Sequence, residues 1–506
     1  MANEVGTASN LEDLFGKIVS FLTTNAALVT ASQQWQVLRQ FRDNTASIST
    51  DLVESATYNT RRILHTFRYE PRSIGMNDPT STTGYFSGTS YVAGTSQVTI
   101  TLRQARAVAT VRIVAPGTGG LTQTIRNFRL QYSDDNSAWT TALTVNSSPT
   151  YMAQEQKDWA VPGTPGSHLY WRIIIDSRQD NTAYGNVTWQ SLMLLQSDGT
   201  VANHFGSEAI LKATGTSGTD AIYTGIRAEY DAANGWYNLF LNGYTGYDPN
   251  EMSWFKQPGA IPAYNTTPNF MVPMVPCWNA SMPYWFRATG RCFVFGVKVS
   301  TNFEGGYLGF ILPYATPSQY PYPLAVGGSL IPQDSDRATT WRYSYNHYRH
   351  SVFPIPGCSG DPQSTTQQDA TMYLRTPDGT WQSFAQRYDT GGANALREMT
   401  QGLSYPFTLA GCRAGVWPTT VRTTPSTISR RRDYREVLGG GYVLQPLVLH
   451  QRLPAPVVFG ELDGCLAISG FSNASENTTT YNSVNYVIFQ NVSRTEVHEY
   501  WAMALD

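Results

Sequence analysis

Along most of its 506 residues the sequence alternates apolar and polar side chains in short runs cut by Gly, Pro, Asn and Asp. A strand with one buried face requires this two-residue period, so the pattern restricts the chain to a mainly β fold. One stretch departs from it. Leu11, Leu14, Phe15, Ile18, Phe21 and Leu22 recur at helical spacing within residues 10–24 and make a single apolar stripe. Asn10 stands where a cap is needed, and Glu12 and Asp13 fall in the first turn, where the helix dipole favours negative charge. A second short helix is expected from Asn25. "WQVLRQF" (Trp35–Phe41) and "RRILHTFRYEP" (Arg61–Pro71) read as strands. No other long amphipathic helix is expected.

Composition narrows the function classes. Charged residues make up 14% of the chain, against roughly 25% in an ordinary soluble domain. Its surface is therefore built from Ser, Thr, Asn, Gln, Tyr and Gly, as in extracellular β proteins and in chains buried in large assemblies. The net charge of −2 offers no basic stripe for a nucleic-acid partner. Five widely spaced cysteines with no CxxC argue against a disulfide framework or a zinc site and for free, buried thiols, with no cofactor or metal. The opening "MANEVGTASNLEDLFGKIVSFL" lacks a basic start and a long apolar run, which predicts cytoplasmic synthesis without a signal peptide. No apolar run approaches the roughly 20 residues of a membrane helix, so membrane insertion is not expected. Without an export route, Asn-x-Ser/Thr triplets such as Asn279-Ala280-Ser281 carry no meaning.

Residues 76–198 read as one unit. Its strands are "SQVTITL" (Ser96–Leu102), "AVATVRIVA" (Ala107–Ala115), "TIRNFRLQYS" (Thr124–Ser133), "AWTTALTV" (Ala138–Val145), "LYWRIIID" (Leu169–Asp176) and a closing "VTWQSLMLL" (Val187–Leu195). Asp134, Asp135 and Asn136 lie between two of them. These residue types tolerate left-handed backbone and bond their own main chain, so they predict a tight turn. Adjacent side chains of an extended segment point apart, which disfavours a general-acid pair. A structural calcium is the other reading.

The same residues carry a resemblance. Tyr132-Ser133, the Asp-rich turn and Trp139, then Tyr170-Trp171-Arg172-Ile173 and the closing strand, resemble discoidin-type (factor V/VIII C-type) modules over about residues 80–198. The resemblance implies a β-sandwich jelly roll that presents loops to glycans, lipids or proteins. Two departures stand: no cysteine pair frames the module, and Trp189-Gln190 replaces the usual acidic residue of the closing strand. Tyr85, Tyr91, Trp159 and Tyr184 fall in predicted loops of this unit, and as a set they are candidates for stacking on a host surface glycan.

The remainder divides into a β domain (199–335), a polar, loop-rich insertion (336–440) and closing strands (441–506). Residues 1–75 are expected to complete that domain's core, with the discoidin-like unit inserted between. "DAIYTGIR", "PYWFRATGRCFVFGVKVST", "YLGFILPYATPSQYPYPLAVGGS", "GELDG" and "NVSRTEVHEYWAMALD" resemble virion structural proteins of tailed bacteriophages, at the tail tip, baseplate or attached fibres. This resemblance implies a location in the virion, with other virion proteins and copies of the same chain as partners. The Pro/Tyr segment Pro313–Pro323 offers Tyr314, Tyr320 and Tyr322 as rigid interface aromatics. Arg430, Arg431 and Arg432 are candidates for carboxylates on a neighbouring subunit.

Three constellations point to chemistry, and each has a plainer reading. "GCSGDP" (Gly357–Pro362) has the look of a serine-nucleophile turn at Ser359, but no His-bearing motif precedes it. His347 and His350, with Cys358, lack a fourth metal ligand. Glu461 and Asp463 lie two apart on an expected strand, as a glycosidase pair would allow, yet the flanking glycines suggest a bend. The expectation is therefore a non-enzymatic, mainly β, multi-domain protein of the virion tail that presents a carbohydrate-binding-like module. The alternative is a glycan-cleaving tailspike-type enzyme.

Overall fold

The computed structural model describes residues 1–50, 86–116, 118–163, 165–189, 191–231, 236–251, 254–255, 257–261, 272–329, 368–387, 414–417, 443–451, 457–469, 474–490 and 500–506. The strand expected at Arg61–Pro71, Tyr85, the Ser359 and His347/His350/Cys358 groups, Cys412 and Arg430–Arg432 lie outside them. The fold is mainly β. It divides into two compact units: Met1–Arg39 with Ala209–Asp248 and Gln257–Asp506, and Gln40–Glu208 with Pro249–Lys256.

In the first unit the helix Leu11–Thr24 forms as its stripe requires. Asn10 accepts from the Asp13 backbone N–H at 2.9 Å, and Leu11, Leu14, Phe15, Ile18, Phe21 and Leu22 are buried. A short helix, Ala26–Thr30, follows under an Asn25 cap. Ala2–Ala8, Met282–Ala288, Cys292–Val299, Asn302–Phe310, Leu324–Gly327, Gln368–Arg375 and Trp381–Arg387 form one seven-stranded sheet in that spatial order. The last two come from the stretch expected to be loop-rich, and "RTPDGTW" is the turn between them. A five-stranded sheet runs Met274–Cys277, Trp236–Tyr244, Ile222–Asp231, Ser207–Ala213, Gln36–Phe41. A third holds Ala414–Trp417, Val443–Gln451, Val457–Ser469, Tyr500–Ala504, Val484–Gln490 and Thr478–Tyr481, with Leu312–Pro313 paired to Val457–Ser469.

Between the seven-stranded and third sheets lies a core that includes Trp285, Tyr307, Leu447, Phe489 and Trp501. One ion pair bridges it. Arg287 Nη2 donates to Asp463 Oδ1 at 3.0 Å, with both side chains largely buried. Arg287 Nη1 also lies 3.5 Å from Cys292 Sγ, whose thiol burial pushes up to about 12. Gly464 has φ +72, and a Cβ there would overlap the guanidinium. The glycines around "GELDG" are thus explained by packing. Asp463 is the counter-ion of a buried arginine, and Glu461 lies 3.4 Å from the Tyr314 hydroxyl. Cys277, Cys292 and Cys465 are free and buried.

The second unit is a β-sandwich. One sheet runs Thr45–Thr50, Gln97–Arg106, His168–Arg178, Ile125–Ser133, Thr140–Val145. Opposite are Ser191–Leu195, Thr110–Val114 and Gln156–Ala160, together with the pair Tyr184–Trp189 and Phe86–Val92. Ile100, Ile113, Phe128, Trp171, Trp189 and Leu192 are fully buried in one core. The sequence reading of a single closing strand is corrected here. Residues 187–195 split into two strands that belong to different sheets. The tight turn expected at Asp134–Asn136 forms. Asp135 accepts from Ser137 N, Ala138 N, Ser137 Oγ and Ser133 Oγ, and Asn136 adopts φ 59. Asp134 instead bonds His168 Nδ1 at 2.8 Å. The pair is a turn.

Removing the charge of Asp463 leaves a guanidinium buried without its counter-ion. Asp463→Asn is expected to lower stability by about 3 kcal/mol, and Gly464→Ala to lower it through strain and overlap. Chemical denaturation followed by tryptophan fluorescence measures both. Midpoints equal to the parent's would refute the bridge.

The bonds converging on Asp135 hold its carboxyl well below the usual carboxylate range, the Ala138 N–H first among them. A depressed folded-state pKa contributes stability above the unfolded value, roughly pH 4, that is lost as pH falls below it. Asp135→Ala should therefore lower the thermal midpoint at pH 7, and the difference should shrink between about pH 5 and 2. A pH-independent difference would contradict this account.

Candidate functional site

The register of the sandwich sorts its loops into two ends. Asn44 accepts from Arg103 N and Gln104 N and donates to Ala202 O, while Thr45 Oγ1 donates to Asn203 O. Asp43 accepts from Gly206 N, and its own N–H donates to Ser207 Oγ. Both chain connections, near 40 and 208, thus leave from one end, which the Asp134–Ala138 turn shares. The loops at 93–96, 115–124, 146–155 and 177–183 gather at the other.

Those distal loops are tied to one another. Gln179 clamps the Tyr151 main chain, accepting from its N–H and donating to its C=O at 3.2 Å. Gln179 N donates to Thr124 O and Asp180 N to Thr122 O, both at 2.9 Å. Arg126 Nε donates to Ser148 O at 2.8 Å, and its Nη1 lies 3.4 Å from Asn181 Oδ1. Asn181 holds φ 56, the left-handed conformation that asparagine adopts more readily than other non-glycine residues. Three loops distant in sequence therefore share one hydrogen-bonded frame.

Charge is arranged on that frame in pairs. Arg129 grips Asp176 at 2.8 Å and donates to Gly94 O, and the Asp176 bond raises its pKa. Arg178 grips Asp180 at 2.7 Å. Burial pushes the Asp180 carboxyl up, but the Thr182 N–H and Arg178 together leave it lowered. Lys157 Nζ donates to Thr150 O at 2.7 Å, lies 3.6 Å from Glu155 and sits over the Tyr151 ring. Met152, at the tip, is 71% exposed. With Arg178 buried beneath it, the result is a partly exposed array of fixed amide, guanidinium and carboxylate groups beside the exposed Met152. Such an array supplies oriented donors and acceptors to a polar ligand without first having to order them. Among the described residues no cluster of three His, Cys, Asp or Glu is placed to hold a metal. No helix among them is long and apolar enough to cross a membrane.

The aromatics singled out from sequence do not form this array. Tyr91 is corrected from a loop residue to a fully buried residue of the strand Phe86–Val92. Burial pushes its hydroxyl up to about 12, and its ring lies 5.8 Å from the Arg178 guanidinium. Trp159 is likewise in a strand, Gln156–Ala160, packed edge-on to Phe128 at 5.2 Å. Tyr184 begins the strand Tyr184–Trp189, opposite Val92. In the first unit, Tyr320 is corrected from interface to interior. It is 2% exposed, and its hydroxyl donates to Arg375 O. Tyr322 is also turned inward, donating to Tyr244 O and accepting from Tyr223 N. Tyr314 alone of the three is exposed, at 57%. Sequence reasoning missed Arg126, Gln179 and Asn181. The Asp180-Asn181 turn signal in "SRQDNTAYG", after a strong strand, is what marks their loop.

Residues 55–188 match the family model described as F5/8 type C domain. Similar solved structures include CBM32-1 from a family 31 glycoside hydrolase of Clostridium perfringens, at 10% identity over 30% of this chain and 96% of that one, with a TM-score of 0.23. The family 32 carbohydrate-binding module of Streptococcus pneumoniae EndoD is 17% identical over 31% and 100%, with a TM-score of 0.21. The F5/8 type C domain of a Bacteroides fragilis protein is 12% identical over 32% and 95%, with a TM-score of 0.22. No curated protein matches the chain. The family match takes in most strands of the sandwich, and the chain thus carries a discoidin-like, F5/8 type C module within a larger β architecture.

Proposed function

We propose that this protein is a non-enzymatic structural component of a bacteriophage tail, baseplate or attached fibre whose discoidin-like module binds glycan through its distal loops. The observation that carries the binding role is the hydrogen-bonded frame of three loops, which fixes half-exposed amide, guanidinium and carboxylate groups at the end away from both chain connections. Saccharide hydroxyls need such paired donors and acceptors, and prior ordering of the loops limits the entropy lost on binding. The virion location is supported by the likeness of the C-terminal strings to tail proteins and by the 14% charge content. Partners would be other virion proteins and copies of this chain. Tyr314, with Val457 and Val458 exposed on the strand Val457–Ser469 that pairs with Leu312–Pro313, is the first unit's candidate contact. The Arg287 partnership of Asp463 supports a non-enzymatic reading, because an ion-paired carboxylate is ill suited to act as a general acid.

The full chain should bind members of an oligosaccharide array and leave polysaccharide chain length unchanged after prolonged incubation. Gln179→Ala, which frees the loop around Tyr151, should weaken that binding roughly fivefold to tenfold with little change in the thermal midpoint. Retention of nothing on the array would sink the binding role, and release of shorter chains would sink the non-enzymatic one. Mass spectrometry of gradient-purified phage particles should recover the chain at fixed stoichiometry. Particles devoid of it would overturn the virion location.

A further inference from the structure

Among the described residues four cations stand on the distal loops and their strand ends, and they are not equivalent. Arg129 has Asp176, Arg178 has Asp180 and Lys157 has Glu155. Arg126 has no carboxylate within ion-pair range among the described residues. Its contacts are neutral oxygens: the Ser148 carbonyl at 2.8 Å and the Asn181 amide oxygen at 3.4 Å. These acceptors orient the guanidinium without cancelling its charge. Both are themselves held. Ser148 is buried, and its N–H donates to Asn127 Oδ1, while Asn181 is held by its N–H bond to Arg178 O at 3.1 Å. Two N–H groups of Arg126 are engaged in this way, and the rest of the fork is left to a ligand.

Resting on the reading that this end takes glycan, we propose that Arg126 selects an anionic saccharide by pairing with an oxyanion on the sugar. A guanidinium donates two parallel N–H bonds to a carboxylate or a phosphate, and charge-assisted bonds of this kind are about twice as strong as neutral ones. A neutral sugar would leave this cation half-desolvated and unpaired, so the discrimination has two sources, a bond gained and a penalty avoided. The Arg129–Asp176 pair and the Asp180 carboxylate, which the buried Arg178 neutralises, serve the hydroxyls and leave the net local charge to Arg126. The oxyanion belongs to a uronic or nonulosonic acid or to a phosphorylated sugar, and matched ligands separate the two.

The test uses the full chain against matched pairs: lactose and sialyllactose, oligogalacturonate and its carboxyl-reduced form, mannose and mannose 6-phosphate oligosaccharides. The acidic member of at least one pair should bind roughly tenfold more tightly, and rising salt should erode that preference. Preference confined to the carboxylates or to the phosphate identifies the oxyanion. Arg126→Gln should remove the preference while keeping residual neutral binding, and Arg126→Lys should restore part of it, whereas a merely structural arginine would change both members alike. The matched pairs on the unsubstituted protein decide the matter even if the glutamine variant loses its loop structure. Equal affinity within every pair would overturn the anion proposal and leave the glycan reading standing. Absence of binding to any member would overturn both.

Discussion

The structure turns on the clasp that joins the two ends of the discoidin-like unit. Asp43, Asn44 and Thr45 meet the stretch 202–207 through side-chain bonds to main chain, with Asn44, Thr45, Asn203 and Ser207 buried. Asn44 also bonds into the strand Gln97–Arg106. Buried polar groups of this kind need every partner, since a lost one leaves a desolvated donor or acceptor. The clasp therefore fixes where the chain enters and leaves the sandwich. It also separates the two ends of the sandwich, because the connections occupy one end and the Gln179, Arg126 and Asn181 frame occupies the other.

How far the sequence could be read follows from how locally each feature is encoded. The helix Leu11–Thr24 carried its cap, stripe and first-turn charges within a few residues, and the structure reproduces all three. Strands with a fully buried face, such as Ile125–Ser133 and His168–Arg178, were legible from alternation and β-branched density. Phe86–Val92 was not, because Ser, Gly and Thr interrupt its alternation. Gln156–Ala160 was not, because its exposed polar side chains resemble a loop. Tyr91 and Trp159 were misplaced for that reason. The distal frame was illegible in a different way. Gln179 meets Tyr151 and Arg126 meets Ser148 across long stretches of chain, through bonds between side chain and main chain that no local motif announces.

Scarcity of charge reads differently once side chains are placed. Several charged groups are interior: Arg227 and Glu229 pair at 2.7 Å with no exposure, and Arg287 and Asp463 bridge two sheets. Such pairs contribute less net stability than their attraction suggests, since desolvation opposes it, but each is costly to break singly. The tyrosines of the Pro/Tyr segment follow the same logic. Prolines hold that loop in place, and the Tyr320 and Tyr322 hydroxyls are aimed at backbone carbonyls of the interior. Rigid aromatic content alone did not distinguish a docking surface from a tethered loop, whereas the fate of each hydroxyl does.

The five-stranded sheet places Gln36–Phe41 beside Ser207–Ala213, two strands on either side of the clasped unit. During synthesis the earlier strand has no neighbour until the later one emerges, so the first unit's sheet cannot close on the chain that begins it. An unfolded intervening segment of this length would add a loop-closure entropy that grows with the logarithm of its length. A folded sandwich with its ends clasped replaces that long loop with a short one. In this topology the clasp does for the outer sheet what a short turn does for a hairpin: it holds the ends of a long excursion together, so that pairing Gln36–Phe41 with Ser207–Ala213 closes a short loop and not one of more than 150 residues.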